Sequence, residues 1–182
     1  MRWQQLFSDL EAQLEAAEAA ELAGEVADRT RREAALVALS DRIAPAQGHP
    51  LSVHVRGAGQ VRGRLLDSGR DWLLLDEHGA EVLVPLAAVL GVTGAGARTA
   101  VGAGGVVAAR LDLRWALRGL ARSRTGVLLT LDDGAQVTGT LDRVGTDHVD
   151  LAEHGRGEAR RDAAVRQVRL VPISGLALVR SA

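Results

Sequence analysis

The chain has 182 residues, 47% hydrophobic and 25% charged, with a formal net charge of −1. Normal apolar content with near-zero charge excludes a wholly disordered chain, and 21 Gly without a three-residue period, together with no Cys, exclude collagen-like, disulfide-stapled and thiol-dependent classes. No apolar run approaches the roughly 20 residues that span a bilayer, and MRWQQLFSDLEAQ lacks the apolar core of a signal peptide, so the reading is a soluble, cytoplasmic protein without a membrane partner.

Residues 1–45 read as one long helix. Trp3, Leu6, Phe7, Leu10, Leu14 and Ala17 recur at three- and four-residue spacing among good helix formers. Pro45, Gly48 and Pro50 end the element. Continuous to Ile43, it would run about 60 Å and would need something to pack on. Glu21 and Gly24 interrupt a coiled-coil seam. This head carries five Arg against nine acids, a net of −4.

Residues 49–94 read as short strands. LSVHVRG alternates apolar and polar, VRGRLLD carries a mid-strand Gly63, and DWLLLDEHG ends in a Gly turn. EVLV then precedes a one-turn break at PLAAV, followed by VLGV. About five strands in so short a span predict a small barrel, with Gly63 at a bend. GAGARTAVGAGG reads as a flexible linker. Val106 to Ser123 reads as a second helix, with Val106, Ala109, Leu113, Ala116, Leu117 and Leu120 on one stripe. Residues 97–126 carry six Arg and one acid, a net of +5. VLLTLDDG, VTGTLDRV and DHVDLAEHG open a second set of strands.

That second set repeats the first. A shift of 76 places segment 53–92 on 129–168 without a gap, and fourteen of the forty positions are identical. They include Gly63/Gly139, Leu65/Leu141, Gly69/Gly145, Asp71/Asp147, Leu75/Leu151, His78/His154 and Gly79/Gly155, then Ala87/Ala163, Ala88/Ala164, Val89/Val165 and Val92/Val168. The register implies an internal duplication. The predicted fold is α+β: a long N-terminal helix (1–45) and two duplicated small barrels (49–94 and 125–182), joined by a Gly/Ala linker and basic helix (95–124).

The string GQVRGRLLDSGRDWLLLDEHGAEVLVPLAAVLGV resembles the small Sm-like or SH3-like barrels, including the bacterial Hfq type. The bent strand at Gly63, the Leu-rich third strand and the short final turn carry the resemblance. The whole combination is also similar to a group of actinobacterial proteins, some labelled Fis-type transcription regulators, although no helix pair here suits a helix-turn-helix. The Sm resemblance implies RNA binding on a ring. The family's pocket Asn has no counterpart in this Asn-free chain, and Leu90-Gly91 and Arg166-Gln167 stand where its Arg-Gly signature would be.

For chemistry, Arg110, Arg114, Arg118 and Arg122 form a ridge beside Trp115 that suits phosphates and a stacked base, and Arg160 and Arg161 belong to a smaller basic cluster with Arg156. The competing reading pairs the ridge with the acidic head. All 22 basic residues are Arg, as a GC-rich genome would give, so Arg abundance alone decides nothing. His148 with Asp147, Asp150 and Glu153 has metal-ligand composition, but strand alternation lets only His148 and Asp150 converge. Asp132-Asp133-Gly134 reads as a hairpin turn, and no nucleophile elbow or phosphate loop is present. The reading is a non-catalytic binding or regulatory protein without cofactor or metal. Its partner is RNA or DNA at the Arg ridge; alternatively it is a scaffold that self-associates or docks a protein through its acidic helix and strand edges; a third alternative, an enzyme of unknown reaction, would need a pocket of perturbed acids that the sequence does not show.

Overall fold

The computed structural model describes residues 2–100, 111–155 and 165–181. The chain divides into two units, Met1–Val37 and Ala38–Ala182. The first is helix α1 (Arg2–Ala35), with Arg29–Glu33 and Arg31–Asp28 pairs bracing its C-terminal turns. The expected continuous helix to residue 45 is corrected here: helical conformation stops at Ala35, and a separate short helix α2 (Leu39–Ile43) opens the second unit. Asp41 marks the new start, accepting a hydrogen bond from the Ala38 N–H.

The second unit carries a single antiparallel sheet. After α2 come β1 (Pro50–Val55), β2 (Gly59–Ser68), β3 (Trp72–Glu77), β4 (Ala80–Pro85) and β5 (Val89–Thr93). Helix α3 (Leu113–Ser123) precedes β6 (Gly126–Leu131), β7 (Gln136–Val144), β8 (His148–Glu153), β9 (Gln167–Pro172) and β10 (Leu176–Ser181). The strand order is β5-β1-β2-β3-β4-β10-β6-β7-β8-β9.

This order overturns the expected pair of small closed barrels joined by a basic helix. The outer side of β4 is taken by β10, with Val179 opposite Leu83 and Arg180 opposite Val82. β10 also pairs with β6, so one strand belongs to both halves and, among the described residues, ten strands form one open sheet ending at β5 and β9. The pattern of β10 explains its position. Leu176, Ala177, Leu178 and Val179 are all buried, the unbroken apolar run of a strand covered on both faces. Ala177 and Leu178 enter a core with Val53, Leu65, Leu73, Leu75 and Ile43 of α2. Leu176 and Val179 enter a second core with Leu129, Leu141, Leu151 and Leu117 of α3. That second core also takes Trp72 and Leu83 from the first half. Across the junction, the Arg180 guanidinium donates to Glu77 at 2.8–2.9 Å.

The two halves repeat local geometry. Gly63 and Gly139 sit in the same bend, each against the carbonyl of the facing strand, Asp76 and Ala152. Gly69 and Gly145 lie under the rings of Trp72 and His148. The carbonyls of Asp71 and Asp147 accept from the N–H of Leu86 and Ile173. The gapless register nevertheless fails after Gly79/Gly155. Pro85 ends β4 and Pro172 ends β9, each followed by one 3₁₀ turn and the half's final strand. The offset there is 87 (172 − 85), against 76 before it. The match Val92/Val168 therefore joins β5 to β9, which do not occupy equivalent places, while Ala163 and Ala164 lie outside the described residues.

The stretch read as a flexible linker is fastened where it is described. The Arg42 guanidinium donates to the carbonyls of Gly96, Ala97 and Arg98 at 2.6–2.9 Å and to the Thr99 hydroxyl at 3.1 Å. The basic helix is also shorter than 106–123: it begins at Leu113, and residues 101–110 lie outside the described residues.

Two glycine substitutions test this account in opposite directions. A Cβ on Gly63 would lie 2.5 Å from the Asp76 carbonyl oxygen, so Gly63→Ala should lower stability by about 1–3 kcal/mol. Gly119, inside α3, has open space around it, so Gly119→Ala should raise stability by about 0.5–1 kcal/mol. Denaturant midpoints at unchanged slope are the measurement. A neutral Gly63→Ala would contradict the close packing at the bend.

Candidate binding surfaces: helix α3 and the free sheet edges

Helix α3 is positioned by its N-terminus. The Trp115 N–H donates to Asp112 Oδ1 at 2.8 Å, which makes Asp112 the N-cap. The Leu113 N–H donates to Asp71 Oδ1 at 2.8 Å, and the Trp72 indole N–H to the Leu111 carbonyl at 2.8 Å. The helix entry is thus tied to the first half, while buried Leu113 and Leu117 pack with the second. Arg124 ends the helix in the left-handed region at φ 50°.

The Arg ridge is only partly free. Arg114 Nε and Nη2 both donate to Asp112 Oδ2, at 3.0 and 2.7 Å. Partial burial opposes ionisation of Asp112. The Arg114 hydrogen bonds, the Trp115 N–H and the charges of Arg114 and Arg118 outweigh it and hold the carboxyl below its ordinary value. Arg118 and Arg122 are exposed, and Trp115 is 46% exposed between the Arg114 and Arg118 positions. Arg110, Arg160 and Arg161, with Arg156, lie outside the described residues.

Beneath Trp115 lies a groove of about 330 Å³, walled by Trp72, Leu74, Leu83, Leu120 and Val179, with Asp67 and Glu81 also lining it. Sequence reasoning missed it because its walls come from both halves and from α3. A second, more polar groove holds Gln136, Thr138, Glu153, Arg166 and Arg169. Its charges serve one another: Arg169 and Gln167 both bond the Glu153 carboxylate, which with Arg166 nearby sits below its ordinary pKa.

The histidines take structural partners. His148 Nδ1 is 2.9 Å from Asp147 Oδ1, and Nε2 is 3.6 Å from Asp150 Oδ1. The hydrogen bond from His148 holds the exposed Asp147 carboxyl below its ordinary value. His154 is buried, with Nδ1 3.0 Å from the Gly155 carbonyl and Nε2 2.8 Å from the Thr140 hydroxyl. A carbonyl can only accept, so Nδ1 donates to it, and the Thr140 hydroxyl completes the ring's hydrogen bonding at Nε2. Among the described residues, no three His, Asp or Glu side chains come together as metal ligands.

The sheet ends are different in character. On β9, Val168 is 56% and Leu170 66% exposed; on β5, Leu90 is 55% exposed. Among the described residues, each is an outer strand with a neighbour on one side only. No helix among the described residues is long and apolar enough to cross a membrane. The chain matches no family model and no curated protein.

The cap geometry makes a pH prediction. A carboxyl whose folded pKa is depressed adds stability above its unfolded value of about 3.9, and that stability is lost as pH falls through the folded value. Asp112→Ala should lower stability at neutral pH by about 1 kcal/mol, the usual worth of an N-cap. Asp112→Asn should keep the capping acceptor and make the acid limb of the stability–pH curve shallower. An unchanged acid limb in Asp112→Asn would contradict the assigned pairing.

Proposed function

We propose that the protein is a non-catalytic interaction scaffold whose free sheet edges, β5 and β9, accept further β-strands. The observation that carries this reading is β9: among the described residues it pairs with β8 alone, and it holds two large apolar side chains, Val168 and Leu170, in the open. Such an edge is a template for strand addition, in which backbone hydrogen bonds supply affinity and alternate side chains supply selectivity. Natural edge strands are usually short, charged or interrupted by Pro. β9 has Arg169 and the terminal Pro172 but leaves the intervening Leu170 uncovered. Helix α1 adds to the reading, since Trp3, Phe7, Leu22 and Val26 are exposed in pairs four residues apart, a spacing that places each pair on one helical face.

The test uses a labelled peptide of residues 174–182, which spans β10. Saturable binding is expected, and Val168→Lys with Leu170→Lys should abolish it while the far-UV spectrum stays native. Absence of binding, or binding indifferent to those substitutions, would reject the edge reading.

A second reading rests on Arg118 and Arg122, exposed one turn apart beside Trp115. On that reading the helix holds nucleic-acid phosphates, with Arg110, Arg114, Arg160 and Arg161 as further contacts and Trp115 stacking a base. It predicts anisotropy binding of labelled single-stranded RNA or duplex DNA that weakens as salt rises, and loss of that binding in Arg118→Glu with Arg122→Glu. No binding even at low salt would dismiss it.

A further inference from the structure

Away from the sheet edges and independent of them, the geometry points to the groove beneath Trp115 as a binding site for a small organic cation with an apolar body, of the arylalkylammonium kind. One side of the groove is a row across the sheet. Asp67 of β2 lies opposite Leu74 of β3, Leu74 opposite Leu83 of β4, and Leu83 opposite Val179 of β10. Two residues along β4 from Leu83, the Glu81 N–H donates to the Ser181 hydroxyl at 3.3 Å. The other side is α3, where Trp115 and Gly119 stand four residues apart on one helical face.

The groove is built, not left over. Gly119 lies inside α3, where Gly destabilises a helix relative to Ala. A Cβ there would meet nothing within 4 Å, so no neighbour demands the glycine. Its missing side chain leaves room in the groove that it lines. The Trp72 wall is fixed in advance: the side chain is buried and its indole N–H donates to the Leu111 carbonyl at 2.8 Å. Trp115 is left half-exposed.

Charge selects the ligand. Asp67 and Glu81 line the groove and are exposed. Asp67 Oδ1 accepts only from the neighbouring Ser68 N–H, and among the described residues neither carboxylate has an ion-pair partner. None of the lining residues is Arg, although α3 itself carries three. Indole rings attract a cation through their quadrupole, the two carboxylates add to that attraction, and Leu74, Leu83 and Leu120 take the apolar body. An anion would meet two carboxylates with no cation beside them. A volume of about 330 Å³ lies at the lower end of small-molecule sites, about 300–1,000 Å³, so the occupant is metabolite-sized.

The three Trp supply the readout. Their indole N–H signals, assigned with Trp3→Phe and Trp115→Phe, are followed by two-dimensional NMR during titration with phenethylammonium, 2-phenylethanol or phenylacetate. These probes share one apolar body and end in a positive, neutral or negative group. The ammonium should shift the Trp72 and Trp115 signals saturably and leave Trp3 unmoved. The alcohol should bind about tenfold more weakly, the worth of one cation–π contact with exposed carboxylates, and phenylacetate should not bind. Asp67→Asn with Glu81→Gln should bring the ammonium down to the affinity of the alcohol. Gly119→Leu, which fills the groove and keeps both carboxylates, should abolish binding of both; far-UV spectra and cooperative unfolding check that each variant is folded. Equal affinity for the three probes, or preference for phenylacetate, would overturn the cationic class. Binding that survives Gly119→Leu would overturn the location, and an ammonium that moves neither Trp72 nor Trp115 would overturn the site.

Discussion

The C-terminal strand is the constraint on which the sheet depends. β10 hydrogen-bonds to β4 on one side and β6 on the other, and its four apolar residues supply both cores. Fully burying one Leu contributes about 1.5–3 kcal/mol, and Leu178 of β10 makes that contribution in the core of the first half. Trp72 and Leu83 cross in the opposite sense into the second core. The halves are therefore interlocked, and neither retains its full core without the other. Helix α3 follows the same logic, capped and anchored on Asp71 and Trp72 while its apolar stripe packs with the second half.

Much of the local structure was legible in the residues. Alternation in LSVHV and VLLTL marks β1 and β6, and the mid-strand Gly63 and Gly139 mark bends that a side chain would fill. The 76-residue shift also predicts the matched roles of Gly69 and Gly145, and of Asp71 and Asp147. It misleads after Gly155, where a longer second half moves the final strands. In an Ala- and Val-rich chain, an identity such as Val92/Val168 arises without structural equivalence. The better signal was Val84-Pro85 against Val171-Pro172, each before a one-turn break.

The long-range features were not legible because they depend on which strand meets which. LALV is visible as an apolar run, but its place between the halves follows from pairing, not periodicity. The four-residue Arg spacing predicts a ridge, yet the capture of Arg114 by Asp112 depends on the turn that makes Asp112 the cap. The groove under Trp115 needs Trp72, Leu83 and Val179 brought together from three strands. Nothing in the helical pattern at Leu36–Ala38 announces the end of α1, since no Gly or Pro stands there.

Structural cohesion lies in the β10 junction, and the proposed recognition lies at the two ends of the sheet. Backbone hydrogen exchange read strand by strand, with and without the 174–182 peptide, tests this most directly. Outward amides of β4 and β10 should exchange slowly in both conditions, with protection near that of global unfolding. Those of β9 should exchange fast alone and slow when the peptide binds. Edge protection that ignores the peptide, or a β4–β10 junction that exchanges as fast as the edges, would contradict the account.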